Sequence, residues 1–263
     1  MNPAELPLRF ADCTWEEIDR LPRSSTVLLL PVGSTEPHGP HLPLSTDVII
    51  SEGMALRAAM RLREEGIEAL VLPSIAYSVT DFASGFSGAI SIRLETAASV
   101  IVDVLAAAIG DGFLRFAIAN SHLEPGHVES LTSAIASIRE STGIDIAFPD
   151  KRRRRWATLL TEEFQSGACH AGQYETSLVL ADRPDLVRDE LRAELEDVGI
   201  SLSDAIRAGV PTFREAGGER AYFGMPASAT AAEGSATYDA LAAMLVTSVK
   251  ETYAIPHGDH DRD

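Results

Sequence analysis

A chain of 263 residues, 45% of them hydrophobic, is long enough to bury a core without covalent cross-links, and its two cysteines, Cys13 and Cys169, provide neither a disulfide framework nor a cysteine-type zinc site. The 39 acidic against 22 basic residues give a net charge of −17, which argues against nucleic acid or an anionic membrane as a main partner. No basic start followed by an apolar core opens the sequence, and no apolar run approaches the roughly 20 residues that span a bilayer; a soluble, cytoplasmic protein is expected.

Thr14-Trp15-Glu16-Glu17 has capping-box spacing and predicts a short helix to about Arg20. Val27, Leu28, Leu29 and Leu30 form a continuous apolar run that suits a strand buried on both faces. After it, Pro31, Gly33, Pro37, Gly39, Pro40 and Pro43 predict a stiff, irregular loop, and into that loop fall Glu36, His38, His41 and Asp47. Residues 48–64 carry Ile50, Met54, Leu56, Ala58 and Leu62 at helical spacing, and Gly66 ends that helix.

A second buried strand is expected over 69–73, then a long polar and aromatic loop over 74–88, a length that often marks function inside a compact domain. A short strand at 89–92, an Ala/Val-rich helix at 94–109 and a third core strand at 113–119 follow. That strand runs into Asn120-Ser121-His122-Leu123-Glu124, and Pro125-Gly126 opens a helix to about Arg139. A fourth strand is expected at 143–148. The basic run 151–155 reads as a solvated turn or one side of a subunit contact, because the chain is so acidic overall.

Residues 156–164 look helical, 166–172 form a second loop carrying Cys169 and His170, and a helix begins at Glu175 and stops before Pro184. Residues 191–208 read as charged and peripheral, 222–232 as a loop, and 232–252 as a closing helix. The tail, about 254–263, is polar and expected to be disordered. Strands alternating with helices, with no repeat and no linker, predict one α/β domain over 1–263 with a mostly parallel sheet. In such sheets active sites lie beyond the carboxyl ends of the strands, so the clusters after the first and third core strands are expected to meet.

Together those clusters supply Glu36, His38, Asp47, His122 and Glu124, three carboxylates and two imidazoles, enough for two divalent metals that share a bridging carboxylate. Imidazole and carboxylate suit zinc, manganese or iron. Two such ions hold a metal-bound hydroxide and polarise a carbonyl, which permits hydrolysis of an amide, cyclic amide or formamide without a Ser or Cys nucleophile. The same centre would serve a lyase or isomerase through an enolate-like charge, or belong to a metal-bound scaffold with no activity.

PVGSTEPHGPHLPLSTD, residues 31–47, resembles the signature of the creatininase family, close to PVGSxEQHGPHLPLxTD. HAGQYETS from His170 to Ser177 is similar to the family's HAG-x-x-ETS, and YFGMPASATAAEG near Tyr222 to its Gly-rich C-terminal stretch. The resemblance implies a three-layer α/β/α fold, a binuclear zinc centre with manganese or iron as options, and commonly a homohexamer. It implies Glu36, Asp47 and His122 as ligands of one metal, and His38, Asp47 and Glu124 as ligands of the other, with Asp47 bridging. His170 matches a family histidine that protonates the leaving group, with Glu124 assisting the proton transfer. Glu175 matches a carboxylate that supports the ligands or joins them in some members, and His41 is expected to orient a ligand or to pack in the loop.

The departures bear on substrate. The second cluster is NSHLEP where many members carry NGHGGN, which sets a mycofactocin-type peptidase behind a hydrolase of small, non-peptide amides. Leu123 stands where creatininase has a tyrosine, and of the tryptophans lining the creatinine pocket only Trp156 is nearby, which argues against creatinine itself. Phe82 and Phe86 are candidate pocket or core aromatics.

Overall fold

The computed structural model of the protein describes residues 6–255. Its centre is a parallel four-stranded sheet in the order β2-β1-β3-β4, formed by β1 (Val27–Val32), β2 (Ala69–Val71), β3 (Arg115–Asn120) and β4 (Ile146–Ala147). Strand β1 is buried along its whole length, as its unbroken apolar run requires. Pro31 lies inside it without breaking a ladder. Leu29 and Pro31 both turn their carbonyls to the β2 side, where they accept from the amides of Leu72 and Ile75. Strand β2 has ended at Val71, so the N–H that proline lacks has no ladder partner to lose there.

Alternation along the strands sorts the core into two layers. Val27 and Leu29 of β1, with Ala69, Ala117 and Ala147, face α2 (Thr46–Glu64), α7 (Gln173–Asp182) and α10 (Ala231–Thr252). Leu28, Leu30 and Val32, with Leu70, Phe116 and Ile118, face α3 (Leu94–Gly110) and α4 (Pro125–Thr142). The result is an α/β/α sandwich: the alternation of strands and helices predicts its parallel α/β sheet, and the family resemblance its three layers. Helix α2 presents Ile50, Met54, Ala58 and Leu62 to the sheet as one buried stripe. Gly234 lets α10 approach α7 closely, since a Cβ there would lie 1.8 Å from the carbonyl oxygen of Ser177.

Shorter helices join these elements: α1 (Trp15–Asp19), α5 (Arg154–Ala157), α6 (Glu162–Ser166), α8 (Asp189–Ala193) and α9 (Leu202–Arg207), of which α5 and α6 add Trp156 and Phe164 to the α2/α7/α10 layer. The capping box at Thr14 is formed as expected. The helix expected over 156–164 is instead two pieces, because Thr161 starts a new N-terminus by accepting from the amide of Phe164 at 3.3 Å. The strand expected at 89–92 is reduced to one bridge, Ser78 with Ser91: the amide of Ile90 goes to the loop carbonyl of Thr35, so the segment straps a loop and does not join the sheet. The basic run also departs from expectation, because Lys151 is buried while Arg152 to Arg155 face outward. Ala254 and Ile255 continue past α10, with the amide of Ile255 on the carbonyl of Lys250; the rest of the polar tail lies outside the described residues.

Candidate metal centre

Three loops at the carboxyl edge of the sheet deliver the polar residues. The loop after β1 carries Glu36 and His38 and ends with Asp47 in the first turn of α2. Gly33 permits that return, since a Cβ there would come within 2.7 Å of the Asp47 Cβ. The end of β3 delivers His122, and the loop between α6 and α7 delivers His170, with Glu175 following in the first turn of α7. Ala171 between them has φ of 51°, a left-handed conformation that an alanine adopts only under constraint, and its N–H donates to Glu175 Oε2 at 2.7 Å.

These side chains are all buried and converge. His122 Nδ1 lies 3.1 Å from Glu36 Oε1 and 3.2 Å from Asp47 Oδ2. On the other side of Asp47, His38 Nε2 lies 3.6 Å from Asp47 Oδ1, 3.5 Å from Glu175 Oε2 and 3.9 Å from Glu36 Oε1. The two oxygens of Asp47 thus face two different imidazoles. Glu36, Asp47 and His122 form one group able to hold a cation and His38, Asp47 and Glu175 another; Glu36, His38 and His170 form a third, each with ligand atoms within 4.8 Å of one another.

Each imidazole is oriented by its far nitrogen. His38 Nδ1 meets the carbonyl of Glu36 at 3.1 Å, His122 Nε2 that of Val79 at 2.8 Å, and His170 Nε2 that of Pro37 at 3.0 Å. A carbonyl only accepts, so each of those nitrogens carries a proton and the other is turned toward the carboxylates, the orientation that a metal-binding histidine requires. His38 Nε2 has no hydrogen-bond partner at all. The carboxylates are steadied too: Ser34 Oγ donates to Asp47 Oδ2 at 2.7 Å, and the Thr80 hydroxyl donates to Glu36.

The electrostatics of the centre favour positive charge. Burial opposes charge on His38, yet Asp47, Glu175 and Glu36 outweigh it and push the imidazole up to about 10. His122 is raised well above its usual range against burial by Glu36 and Asp47, and those carboxylates are lowered in turn despite their own burial. Glu175 is pushed up to about 7 by burial, and His170 down to about 4 by burial and by the neighbouring His38. Buried carboxylates that force protons onto imidazoles form a site for cations. An orphaned imidazole nitrogen between three carboxylate oxygens, with mixed N and O donors, fits divalent zinc, manganese or iron.

The other expected residues are placed as follows. Glu124 joins none of the three groups: its carboxylate accepts from the amides of Asp81 at 2.9 Å and Phe82 at 3.3 Å, and stands 3.9 Å from His122 Nε2. Pro125 starts α4 immediately after Glu124, and the carboxylate is held on the 81–82 side of His122, so Glu175 and not Glu124 faces His38 and Asp47. His41 meets no carboxylate of the centre; its Nε2 pairs with Thr176 Oγ1 at 2.8 Å, and burial brings it down to about 3.

Phe82 and Leu123 line a cavity of about 510 Å³ that opens on Glu36, Asp47 and His122. Phe86 and Trp156 do not: Phe86 lies under Arg214, 4.4 Å from its ring centroid, and Trp156 is buried in the α2/α7/α10 layer with Arg155 over it. Sequence reasoning missed Phe213, whose ring stands 4.3 Å from His170, and Asn120, whose amide brackets the His122 backbone. Asn120 directly precedes the His122 cluster, a usable signal; Phe213 offers none. Lys151, also in the cavity wall, was hidden inside the basic run.

Residues 11–249 match the family described as Creatininase: Creatinine amidohydrolase. The mycofactocin precursor peptide peptidase of Mycobacterium tuberculosis is 32% identical over 249 residues, 91% of this chain and 90% of that protein. The creatinine amidohydrolase of Pseudomonas putida is 31% identical over 192 residues, 67% of this chain and 72% of that one. A solved creatininase in a form described as Mn superposes with a TM-score of 0.72 at 22% identity, covering 95% of this chain and 100% of that one. No described helix is long and apolar enough to cross a membrane.

Proposed function

The chain belongs to the creatininase family of amidohydrolases, and from that premise we propose that it hydrolyses an amide C–N bond with two divalent cations. Glu36, Asp47 and His122 would hold one, and His38, Asp47 and Glu175 the other, with zinc, manganese or iron as the ions. The observation that carries this reading is the orphaned His38 Nε2 set among carboxylate oxygens of Asp47, Glu175 and Glu36 at 3.5–3.9 Å. When bound, such ions supply Lewis acidity, which activates water and polarises an amide carbonyl.

The chain's own groups do the rest. His170 lines the cavity, burial keeps it neutral, and its Nδ1 is the free nitrogen because Nε2–H is tied to Pro37. At Nδ1 it takes the proton that the attacking water gives up and passes it to the leaving nitrogen as the C–N bond breaks. Glu124, raised by burial and fixed by two backbone amides, is the second proton carrier at the cavity wall. Leu123, Phe82 and Phe213 exclude water from the reacting carbonyl. Thr80, Ser34 and the amide of Ala171 hold the carboxylates in place.

The substrate is an amide of small-molecule size or a short peptide. Restriction to non-peptide bonds is not retained, since the relative matched over 91% of this chain is a peptide peptidase. The whole chain acts as one hydrolase unit and assembles as a homo-oligomer, for which exposed Trp15, Val100 and Leu114 offer apolar surface. The test is a panel of cyclic amides, formamides, aryl amides and peptides incubated with zinc- or manganese-loaded protein, with chelated protein and with His170→Ala. Hydrolysis that needs the metal, and that falls roughly 10²–10⁴-fold in His170→Ala with metal content unchanged, supports the reading; a fall in metal content instead would reassign His170 as a ligand.

A further inference from the structure

The basic run beside α5 divides in the structure. Arg152 forks onto Asp150 at 3.0 and 3.1 Å, Arg155 reaches Glu251 at 2.5 Å, and Arg153 and Arg154 face solvent. Lys151 turns inward. It is 2% exposed, forms part of the cavity wall with Cys169 and Glu175, and its Nζ has no hydrogen-bond partner. Among the described residues it makes no ion pair; its nearest aromatic partner is Tyr174, 5.9 Å from the ring centroid.

A buried ammonium with three unused donors is costly, and native structures retain such groups where they have work to do. Burial draws Lys151 down to about 8 against the charges of Glu175 and Asp47, which raise it. The other cations of the cavity wall are already engaged, Arg152 by Asp150 and Arg207 by Asp204. The same wall carries Glu36, Asp47 and Glu175 of the carboxylate cluster. A ligand in the cavity therefore shares its wall with the metal-binding carboxylates and with one lysine whose Nζ has no partner.

We propose that Lys151 recognises a free carboxylate on the substrate, so that the amide hydrolysed belongs to an acylamino acid or to a peptide with a free C-terminus. A single ammonium suits a singly charged, hydrogen-bond-accepting anion. This proposal rests on the hydrolase reading for the reaction, and on Lys151 alone for the specificity.

The test is calorimetric titration of the metal-loaded protein with N-benzoylglycine and with N-benzoylglycinamide, the same molecule with its carboxylate capped. Wild type binds the acid at least about tenfold more tightly than the amide, the factor that one hydrogen bond to a charged group carries. Lys151→Met loses that preference, and Lys151→Arg retains part of it. Equal binding of acid and amide by wild type, or no binding of either at millimolar concentration, overturns the proposal whether or not the variants fold. An acid preference that persists undiminished in folded, fully metal-loaded Lys151→Met also overturns it, because the carboxylate would then be sitting on the metals. Chromatography of the titrated samples reports hydrolysis separately. A Lys151-dependent acid preference with no hydrolysis here or across the amide panel would sink the hydrolase reading and leave the carboxylate site standing.

Discussion

Asn120→Ala is the sharpest test of how the centre is held. The Asn120 Nδ2 donates to the carbonyl of His122 at 2.7 Å, and its Oδ1 accepts from the His122 amide at 3.1 Å and from His127 Nε2 at 2.8 Å. His127 in turn is fixed at Nδ1 by Ser78 Oγ at 2.5 Å, and burial keeps its ring neutral. Truncation strands three buried groups: a carbonyl, an amide and an imidazole N–H. At roughly 1–3 kcal/mol each, relieved in part by water entering the space, the expected loss is about 3 kcal/mol. For a chain of this size that is a fall in Tm of about 6–12 °C. The released His122 backbone also loosens a ligand, which should weaken metal binding by roughly 10–100-fold. Calorimetry of the metal-free protein reads the first effect and metal titration the second. A Tm within about 2 °C of wild type, together with unchanged metal affinity, would refute the bracket.

Two further predictions follow from the geometry. Glu175→Gln should reduce bound metal from two ions per chain to one, because Glu175 Oε2 faces His38 at 3.5 Å, whereas Glu124→Gln should keep both and lose activity by roughly 10²–10⁴-fold; the reverse pattern in elemental analysis would restore Glu124 as the ligand. Metal binding should release protons near neutral pH. His38 in the metal-free protein stays protonated until about 10, so a cation must displace that proton, and affinity rises with pH up to that value. Titrations in two buffers of different ionisation enthalpy count the protons, and a count of zero at pH 7 would contradict the assigned role of His38.

What could be read from the sequence divides along physical lines. The layers were legible because strands such as residues 27–30 are continuous apolar runs and helices such as α2 carry a regular buried stripe. Glu36, His38 and Asp47 were legible as a cluster because prolines fix one short loop at a strand end. The pairing of Glu175 with His38 depends instead on two loops far apart in the chain crossing at one point, and on which way a carboxylate turns. His122-x-Glu124 spacing suggested a shared metal, but the Glu124 carboxylate is committed to the amides of Asp81 and Phe82. Trp156 misled because an aromatic near a pocket in sequence is here a core residue. Lys151 was invisible for a related reason: composition marks a basic run as solvated, and nothing local shows that one member points inward.

Asp47 turns its Oδ2 to His122 and its Oδ1 to His38, and under the proposed function it would be shared by both cations. Metal content per chain, by elemental analysis of wild type beside Asp47→Ala after supplementation with zinc and manganese, tests it most directly. Wild type should hold close to two divalent ions and the folded variant nearly none. One ion retained by Asp47→Ala, or no stoichiometric metal in wild type, would contradict it.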